Sequence, residues 1–600
     1  MDILTSRRSF LAATGGGALS SLASAETNAA PLEEFGYGEV DLTPGRAQTQ
    51  FEQAQGILLS LNEDSLLKPW RLRAGLPAPG PDLGGWYDEV PPEKTESGGH
   101  GFAPGHCFGQ WLSALARGYA INHDAVTRAK LERLLVLYEP TISGKFYTNF
   151  RFPAYNYDKL VIGLIDADHL AGLTQARRLL DQTTDAAEPH LPLHALDRGE
   201  PQRRWRISIG EDPSGDSDES YTSAENLYIA WERGYGERYR TLARRFLLDK
   251  TYFDPLAENK NILGDHHAYS FCNALSSAMQ AYLADGSEKH LRAASNAFDM
   301  ITNTQSFATG GWGPNEGFVP AQSDDLFLSL SGTHRGFETP CGSYAHFKLT
   351  RYLLRVKKDG RYGDSMERVF YNTVLGAKAL QRDGRAFYYS DYHFGGNKTY
   401  FPDAWPCCSG TLPQVMADYR KLVYFRDRRG LFVNMYLPST LRWTSADGAQ
   451  VALSQSGDYP FGENVAMRLK TSRPANFALR LRIPAWSTPQ LRVNEEPMKV
   501  RMDAGFATVE RIWKDGDKVE LALSLPMRLE AINEKHPDTV AVVRGPLVLF
   551  GIGENVPKVS RGQLLSAVRV PQQNAWKAGD LVLRPFAEIG DERYNTYLRV

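Results

Sequence analysis

Residues Gly234-Tyr235-Gly236-Glu237-Arg238-Tyr239 form a short turn that separates two amphipathic helical patterns. The same pattern returns at Ala284-Asp285-Gly286-Ser287-Glu288-Lys289 and at Lys358-Asp359-Gly360-Arg361-Tyr362. Tight turns between long helices make helical hairpins, and repeated hairpins either stack into a superhelix or close into a ring. We favour closure into an α/α toroid, an (α/α)6 barrel, because long loops such as the segment 301–334 then converge on one mouth.

Helical spacing of apolar residues extends well beyond these turns, from about Phe51 to Arg426. Clear examples are Gln110 to Ala116, Lys130 to Leu137 and Leu160 to Ile165. The segments 77–104 and 182–216 are rich in proline, glycine and charge, and this composition predicts loops. The first two thirds of the chain are therefore expected to be mostly helical.

The periodicity changes from helical to alternating after Arg429-Gly430. Leu431 to Tyr436, Phe477 to Ile483 and Val519 to Leu525 each alternate apolar and polar residues, which predicts strands with one wet face. We therefore expect a multidomain α and β chain: a helical α/α barrel over residues 26–430, followed by a β-sandwich over residues 431–600. This order of domains recurs among carbohydrate-active enzymes, although architecture alone gives only an analogy.

The N-terminus carries an export pattern. Arg7-Arg8 precedes a mildly apolar, glycine- and alanine-rich run to Leu22, and Ala23-Ser24-Ala25 follows it. This resembles a twin-arginine signal peptide over residues 1–25, with cleavage after Ala25. The run is too short and too weakly apolar to span a membrane convincingly, so no stable membrane anchor is expected. The pattern predicts a periplasmic or secreted bacterial protein.

Charge and composition narrow the classes of partner. The 68 basic and 70 acidic residues nearly cancel to a net charge of −2, and no long run of one sign is present. Nucleic acid is therefore not an expected partner. Aromatic residues make up 11% of the chain, and flat rings suit sugars as well as protein cores.

Adjacent cysteines in Ala404-Trp405-Pro406-Cys407-Cys408-Ser409-Gly410 are the clearest chemical signal, because the chain has only five cysteines. A disulfide between neighbours closes a strained ring, whereas two adjacent thiolates can both reach one soft metal ion. Glu338 and Cys341 complete a set of three sulfurs and one oxygen, which suits tetrahedral zinc, Zn2+. Export of a folded protein fits a thiolate site that must be assembled before it meets an oxidising compartment.

Four motifs together carry a specific resemblance. They are Gly310-Gly311-Trp312-Gly313 with Glu316 and Phe318, Glu338-Thr339-Pro340-Cys341, Met366 to Leu375, and Pro406-Cys407-Cys408. In this order and rough spacing the chain resembles the β-L-arabinofuranosidase group of glycoside hydrolases, families 127 and 146 and their uncharacterised relatives. The resemblance implies a retaining glycosidase that releases L-arabinofuranose-type sugars from plant-derived oligo- or polysaccharides.

The resemblance also implies roles for individual residues. Cys407 would be the nucleophile, Glu338, Cys341 and Cys408 its fellow zinc ligands, and Glu316 the general acid/base. The predicted substrate contacts are His267 and Glu367, which match positions of the family motifs, and the aromatic residues Tyr389 and Trp405. Asp324 and Asp325 are rival acids, and the motif around Glu316 favours that residue.

Two departures from the family pattern concern the sugar pocket and the metal site. Where the family carries histidines, this chain reads Pro153 to Leu160 in one place and Ser223-Ala224-Glu225-Asn226 in another, so the substrate is expected to differ from a simple β-L-arabinofuranoside. Two residues, Thr339-Pro340, stand between the zinc-binding Glu and Cys where the family has one, and this proline constrains the backbone beside the ligands.

Each assignment has a structural alternative. The four-ligand set would be a structural zinc knot. Glu316 would be a solvated loop carboxylate, His267 a core histidine, Tyr389 part of an aromatic face, Glu367 a partner of Arg368, and Trp405 a wall of the site. The remaining thiols, Cys107 and Cys272, have no nearby motif partners and are expected to be small buried hydrophobes.

Two other functions remain open at this stage. One is an α/α-toroid lyase or epimerase, which would use Tyr, His or Lys as bases and zinc only structurally. The other is a non-catalytic glycan-binding protein that would bind without turnover and tolerate Glu316→Gln. The missing pocket histidines keep both alternatives open.

Overall fold

The computed structural model of the chain describes residues 30–90, 99–211 and 218–600. The predicted signal peptide, residues 1–25, lies outside the described residues. The α-helices are α1 (Arg46–Ser60), α2 (Glu63–Ala74), α3 (Phe108–Asn122), α4 (Ala125–Tyr138), α5 (Pro153–Ala171), α6 (Gln175–Ala187), α7 (Glu200–Ser208), α8 (Ala224–Glu232), α9 (Glu237–Arg245), α10 (Asp254–Ala257), α11 (Ala268–Asp285), α12 (Glu288–Thr304), α13 (Asp325–Gly332), α14 (Thr339–Lys357), α15 (Gly360–Asn372), α16 (Cys407–Asp418) and α17 (Arg561–Leu565).

Six of these helices form a closed inner ring. Each packs against the next in the order α3, α5, α8, α11, α14 and α16, and α16 packs back against α3. A second helix covers each inner one on the outside: α4, α6, α9, α12, α15 and α1, in the same order. The helical region is an (α/α)6 barrel, as the repeated hairpins predicted.

The three glycine turns fall between an inner and an outer helix in every case. Gly234 and Gly236 lie between α8 and α9, Gly286 between α11 and α12, and Lys358 with Asp359 between α14 and α15. Gly286 caps α11 with a left-handed φ of 70°, which a side chain would disfavour. These turns reverse the chain and return it to the barrel axis.

Two predicted loops contain helices. In the segment 182–216, α6 continues to Ala187 and α7 forms from Glu200 to Ser208. Helix α7 is polar in composition, but it buries Gln202 and Arg206, and the Arg206 guanidinium pairs with Glu211 at 2.8 Å. Tertiary packing of this helix, with its ion pair to Glu211, overrides the loop-like composition. Likewise, the segment 301–334 contains the end of α12 and all of α13.

Two glycines allow a close approach between the backbones of inner helices α3 and α5. A Cβ on Gly163 of α5 would lie 2.3 Å from the carbonyl oxygen of Gly109 on α3, closer than real Cβ contacts. The two backbones can touch only because both residues lack a side chain. This contact fixes the first two inner helices against each other.

Strands dominate the chain after Leu422. The strands are β1 (Glu33–Glu34), β2 (Val40–Leu42), β3 (Phe337–Glu338), β4 (Tyr389–Ser390), β5 (Tyr424–Asp427), β6 (Gly430–Val433), β7 (Ser439–Thr444), β8 (Gln450–Gly457), β9 (Asn464–Thr471), β10 (Ala475–Arg482), β11 (Pro489–Val493), β12 (Glu496–Pro497), β13 (Arg501–Asp503), β14 (Phe506–Trp513), β15 (Lys518–Leu523), β16 (Met527–Ala531), β17 (Thr539–Arg544), β18 (Leu547–Ile552), β19 (Val568–Arg569), β20 (Trp576–Ala578), β21 (Leu581–Pro585), β22 (Tyr594–Asn595) and β23 (Leu598–Arg599). The three strands predicted from alternation correspond to β6, β10 and β15.

Two sheets form the β-sandwich. One has the order β1-β5-β6-β10-β14-β13 and the other the order β12-β11-β15-β9-β8-β7-β2. Trp443 of β7 contacts Phe477 of β10 edge to face at 5.5 Å between ring centroids, so aromatic rings fill the space between the sheets. Strands β1 and β2 add residues 33–42 to these two sheets, a pairing that the sequence pattern did not reveal.

A third sheet attaches to the outside of the barrel. It has the order β16-β17-β18-β21-β20-β19, with β22 and β23 paired to β18 and β17. Arg368 of α15 pairs with Glu530 of β16 at 2.6 Å. The buried Lys398 ammonium donates to the carbonyl oxygens of Gly376, Phe586 and Ile589 at 2.7 to 2.8 Å, and so joins a barrel loop to this sheet. In the part of the chain that the structure describes, every helix is too short or too polar to cross a bilayer.

Candidate functional site

Four inner helices begin at the same mouth of the barrel. Helix α16 starts at Cys407, α14 starts directly after Glu338, α11 has His267 as its N-cap, and α3 has Cys107 as its N-cap. The N-terminus of a helix carries partial positive charge from its unpaired N–H groups. A mouth built from several helix N-termini favours anionic side chains, and thiolates and carboxylates are the groups found there.

The predicted ligand set comes together at this mouth. Donor atoms of Glu338, Cys341, Cys407 and Cys408 all lie within 4.8 Å of one another. The sulfur of Cys341 is 3.7 Å from that of Cys407 and 3.4 Å from that of Cys408, and Oε1 of Glu338 is 3.4 Å from the Cys407 sulfur. Of the four residues, only Cys407 is partly exposed.

Pro340 fits the local backbone without disturbing this set. It lies in the first turn of α14, where the missing N–H has no helical partner and the fixed φ suits the helix. Cys341 therefore follows on the first turn, with its thiol also 3.0 Å from the Thr411 hydroxyl of α16. The extra residue between Glu338 and Cys341 is absorbed at the helix start.

The charge of the cluster is concentrated on Cys407. Hydrogen bonds from the Cys341 and Cys408 thiols hold the pKa of Cys407 well below its ordinary value, although burial opposes this. Burial raises the pKa of Glu338, Cys341 and Cys408 well above their ordinary values. The Tyr388 hydroxyl lies 3.2 Å from the Cys407 sulfur and donates to the thiolate. The protein alone thus favours a thiolate at the one exposed position.

This donor set fits a soft divalent metal. Three thiols and a carboxylate at one point match the ligands that zinc takes in proteins. In the described part of the chain, Oε2 of Glu338 is buried and has no hydrogen-bond partner. A buried carboxylate oxygen without a partner is costly, and a bound cation would relieve that cost.

Glu316 lies beside the cluster on a strained turn. Its own φ is 64° and that of Asn315 is 55°, so two consecutive residues with side chains occupy the left-handed region. Strain of this kind persists only where the surroundings hold it, and it concentrates at functional sites. Donor atoms of Glu316, His267 and Glu338 also lie within 4.8 Å of one another.

Two side chains orient the Glu316 carboxylate. The backbone N–H of Ser270 donates to Nδ1 of His267, so Nε2 carries the proton and donates to Oε2 of Glu316 at 3.3 Å. The Tyr389 hydroxyl donates to the other oxygen, Oε1. Burial raises the pKa of Glu316, but the hydrogen bonds from His267 and Tyr389 outweigh this and lower it below the ordinary value.

A two-residue strand pair links the cluster and Glu316. Strand β3 pairs with β4 so that Glu338 stands opposite Tyr389. The residue before it, Tyr388, reaches Cys407. Tyr389 was predicted from the sequence as a site residue and Tyr388 was not, although the two are neighbours in one aromatic run. Alternation along a strand is the signal that neighbouring residues face different partners.

Two of the predicted substrate contacts, Glu367 and Trp405, are buried in the structure. Glu367 is fully buried on α15 and pairs with Arg482 at 2.9 Å, so its carboxylate holds the barrel to the β-sandwich; the partner is Arg482 and not the neighbouring Arg368. The Trp405 ring is 1% exposed and its Nε1 donates to the Leu83 carbonyl oxygen at 2.8 Å. Trp405 is a wall beneath the cysteines, and its ring has no free face for a sugar.

The positions that lack family histidines hold a buried polar network. Lys159 pairs with Asp158 at 2.8 Å, and Asn226 donates to the same carboxylate at 2.7 Å. The Lys159 ammonium lies 4.6 Å from the centroid of the Tyr155 ring. Motif comparison showed the histidines missing but gave no sign of the charge pair that replaces them.

The rival acids and the remaining thiols are not members of the four-residue donor set, although Asp325 lines the opening beside Glu316 and the Cys107 sulfur lies 3.6 Å from the Ser409 hydroxyl. Asp324 pairs with Lys535 at 3.1 Å. Cys107 and Cys272 are buried, in agreement with the prediction, and the Cys107 sulfur is 3.0 Å from Nε2 of His106. Burial lowers the pKa of His106 to about 4, so this ring is neutral beneath the site.

Comparison with known families matches most of the chain. Residues 39–421 match the family described as beta-L-arabinofuranosidase, GH127 catalytic domain, and residues 430–527 match the GH127 middle domain. Among curated proteins, none matches this chain.

Solved structures share the fold over nearly the whole length. A GH127 β-arabinofuranosidase has a TM-score of 0.72 at 17% identity, covering 95% of this chain and 98% of its own. A GH127 β-L-arabinofuranosidase from Geobacillus stearothermophilus has a TM-score of 0.68 at 18% identity, covering 93% and 99%. A third, described as a glycoside hydrolase, has a TM-score of 0.65 at 17% identity, covering 96% and 98%.

Proposed function

Because this chain belongs to the GH127 β-L-arabinofuranosidase family of glycoside hydrolases, we propose that it is a retaining enzyme with Cys407 as nucleophile and Glu316 as acid/base. Its substrate is an L-arabinofuranose-type linkage in a plant-derived glycan. Residues 26–430 form the catalytic domain. Residues 431–600 form the β-sandwich, to which β1 and β2 also belong, and the third sheet.

One observation carries this proposal. Cys407 is the only partly exposed member of a four-residue donor cluster, and Glu316 lies against the same cluster. A purely structural zinc site requires neither a partly exposed sulfur nor an adjacent carboxylate on a strained turn. A nucleophile and an acid/base facing one opening are what double displacement needs.

Glu338, Cys341, Cys407 and Cys408 would hold the metal, with zinc as the ion that suits this donor set. When bound, zinc keeps the coordinated thiols deprotonated and fixes their direction. The Cys341 sulfur and Oε1 of Glu338 lie 3.7 and 3.4 Å from the Cys407 sulfur, and Cys407 is the member of the set that is partly exposed. Tyr388 donates to that sulfur and further limits its motion.

The reaction would proceed in two displacements. The Cys407 sulfur attacks the anomeric carbon and forms a carbon–sulfur bond as the bond from that carbon to the leaving oxygen breaks. Glu316 gives its proton to this oxygen. Glu316, now ionised, then takes a proton from water, whose oxygen attacks the same carbon and releases Cys407 as thiolate. Hydrogen bonds from His267 and Tyr389 aim the carboxylate and stabilise its ionised form between the two steps.

The test is hydrolysis of an aryl β-L-arabinofuranoside by the zinc-loaded protein, Cys407→Ser and Glu316→Gln. We expect Cys407→Ser to lose turnover by several orders of magnitude, because a serine hydroxyl lacks a thiolate's nucleophilicity. Metal content is measured for each protein by mass spectrometry. Cys341→Ser is expected to lose bound zinc, and chelation of the wild-type protein is expected to abolish activity.

Cys272→Ala is the matched control, since Cys272 is a buried thiol outside the donor cluster. It should keep both zinc and turnover. Equal turnover of Cys407→Ser and wild type would refute the nucleophile, and unchanged turnover of Glu316→Gln with both aryl and sugar leaving groups would refute the acid/base. Unsaturated or epimerised products would instead support the lyase or epimerase alternative.

We further propose that residues 1–25 direct twin-arginine export to the periplasm or beyond. Support comes from Arg7-Arg8 and Ala23-Ser24-Ala25 in the sequence. In a bacterial host, Arg7→Lys with Arg8→Lys should hold the protein in the cytoplasm, measured by cell fractionation and immunoblotting. Single Ser6→Ala is the control and should leave export intact; export of the double-lysine variant at the wild-type level would contradict the proposal.

A further inference from the structure

We propose that the open cavity beside Glu316 binds the leaving group of the substrate and is fitted to a neutral oligosaccharide, not to a uronic acid chain. This inference rests on the proposed role of Glu316 and goes beyond it by naming the class of glycan released.

The cavity has a volume of about 570 Å³ and opens to solvent beside the Glu316 turn. Helix α13 forms one wall with Leu328 and Ser329, and the segment that carries Asp265 and His266 forms another. Arg198 closes a third side. A volume of this size lies within the range of drug-sized ligand sites, so the cavity accepts more than one sugar unit.

The role of Glu316 as general acid determines which part of the substrate lies in this cavity. A general acid must lie within hydrogen-bond reach of the oxygen that it protonates. That oxygen belongs to the leaving group, so the leaving group must lie against Glu316. Glu316 lines this cavity, whereas Cys407 does not. The cavity is therefore on the leaving-group side of the site, separate from the sugar that Cys407 attacks.

Charge favours a neutral occupant. Arg198 is the lining guanidinium, and Glu219 already pairs with it at 3.3 Å. His266 is similarly placed 3.6 Å from the Asp197 carboxylate. Within the described residues, the lining carboxylates Asp265 and Asp325 have no ion-pair partner. The surplus of negative charge repels a uronate, while hydroxyl groups donate readily to carboxylates.

Leu328 gives the cavity an apolar face. Its side chain lies on α13, lines the cavity and is 58% exposed. The C–H face of a sugar ring packs on apolar surface of this kind, while its hydroxyl groups turn toward Asp265, Asp325 and Ser329. Leu328 is thus the residue whose enlargement should narrow the cavity without touching Glu316.

The test measures binding by calorimetry to the zinc-loaded, full-length protein. The probes are α-linked arabinobiose, which has no β-linkage to cleave, and digalacturonate. We expect arabinobiose to bind wild type and to bind Leu328→Trp about tenfold or more weakly. Val136→Trp is the matched control, because Val136 is also helical and exposed, at 56%, but does not line the cavity.

The double variant Asp265→Asn with Asp325→Asn tests the effect of the cavity's negative charge. We expect digalacturonate to bind wild type more weakly than arabinobiose does, and to gain affinity in this double variant. Equal affinity of wild type and Leu328→Trp for arabinobiose would contradict the assignment of this cavity as the leaving-group site. Digalacturonate binding more tightly than arabinobiose to wild type would overturn the preference for neutral glycan, and no binding of either probe at millimolar concentration would overturn both.

Hydrolysis of the aryl β-L-arabinofuranoside in the same preparations separates this inference from the proposed function. If the wild-type protein does not hydrolyse the aryl glycoside but binds arabinobiose in a way that depends on Leu328, the proposed activity is wrong and the cavity assignment stands. If the wild-type protein hydrolyses the aryl glycoside but arabinobiose binding does not depend on Leu328, the proposed activity stands and the cavity assignment is wrong.

Discussion

The surroundings of each thiol decide its chemistry. Cys272 is a buried small hydrophobe, whereas Cys407 begins an inner helix beside two thiols and a tyrosine hydroxyl that donate to it. Helix N-termini and hydrogen-bond donors both stabilise a thiolate. Adjacent cysteines in the sequence predicted a shared metal site, but the sequence alone did not reveal that Cys407 is the one left partly exposed.

Tyr389 offers a test at this scale. Its hydroxyl donates to Oε1 of Glu316 and lowers the pKa of that carboxyl. Tyr389→Phe removes a donor to the ionised form, so the pKa of Glu316 rises. The acid must be protonated to act, so the basic limb of the kcat/KM profile should move to higher pH.

The pH profile of kcat/KM for the aryl glycoside measures this shift. Tyr388→Phe serves for comparison, because Tyr388 contacts Cys407 and not Glu316. A basic limb that stays in place or moves to lower pH in Tyr389→Phe would contradict the assignment of Glu316 as the acid.

At the scale of secondary-structure elements, the site residues lie at helix N-termini and on very short strands. Glu338 and Tyr389 meet only because two-residue strands β3 and β4 pair across 51 positions of chain. No local pattern marks strands this short. Conversely, long helices such as α3 and α5 followed from the sequence, because apolar residues recur in them at helical spacing over several turns.

An ion-pair network fixes the far side of the site helices. Arg351 of α14 donates to Glu34 of β1 through Nε at 3.0 Å and Nη2 at 3.1 Å, and to Asp418 of α16 at 3.1 Å. Arg117 of α3 reaches the same Asp418 at 3.0 Å. The network ties three inner helices to the N-terminal strand.

Glu34→Gln tests the strength of this network. Burial raises the pKa of Glu34, but Arg351, Arg355 and Lys421 outweigh it and lower the pKa to about 2. A carboxylate with a depressed native pKa stabilises the fold above its unfolded pKa, near 4.5, and loses that contribution as pH falls toward 2. Glu34→Gln should therefore lose about 3 kcal/mol of unfolding free energy at neutral pH and progressively less below pH 4.5.

Urea unfolding from pH 7 to pH 3 measures this difference. Glu33→Gln is the matched control, because Glu33 is the neighbouring residue and its pair with Arg426 is exposed. Exposed pairs contribute little, so this control should stay close to wild type at every pH. A stability difference for Glu34→Gln that is independent of pH would show that its ionisation is not responsible.

The barrel and the sheets hold each other in place at the scale of the whole molecule. Lys398 binds three carbonyl oxygens from the barrel loop and the third sheet, and Glu367 and Arg482 form a fully buried pair between α15 and β10. Breaking a buried pair leaves a charge without compensation, so such contacts make the domains interdependent. Glu367, which motif matching predicted as a sugar contact, is thus a buried residue that joins the barrel to the β-sandwich.

The sequence by itself determined the helical character of the first two thirds of the chain, the change to strands after Gly430, and the prediction that Glu338, Cys341, Cys407 and Cys408 lie together, which the structure confirms. The prediction of Glu316 came from the family resemblance. Apolar periodicity and side-chain chemistry are local properties that a sequence displays directly. Only the tertiary structure decided the ring closure of α16 on α3, the burial of Glu367 and Trp405, and the cavity beside Glu316. These depend on contacts between residues far apart in the chain, and burial is a property of the packed molecule that no short stretch of sequence contains.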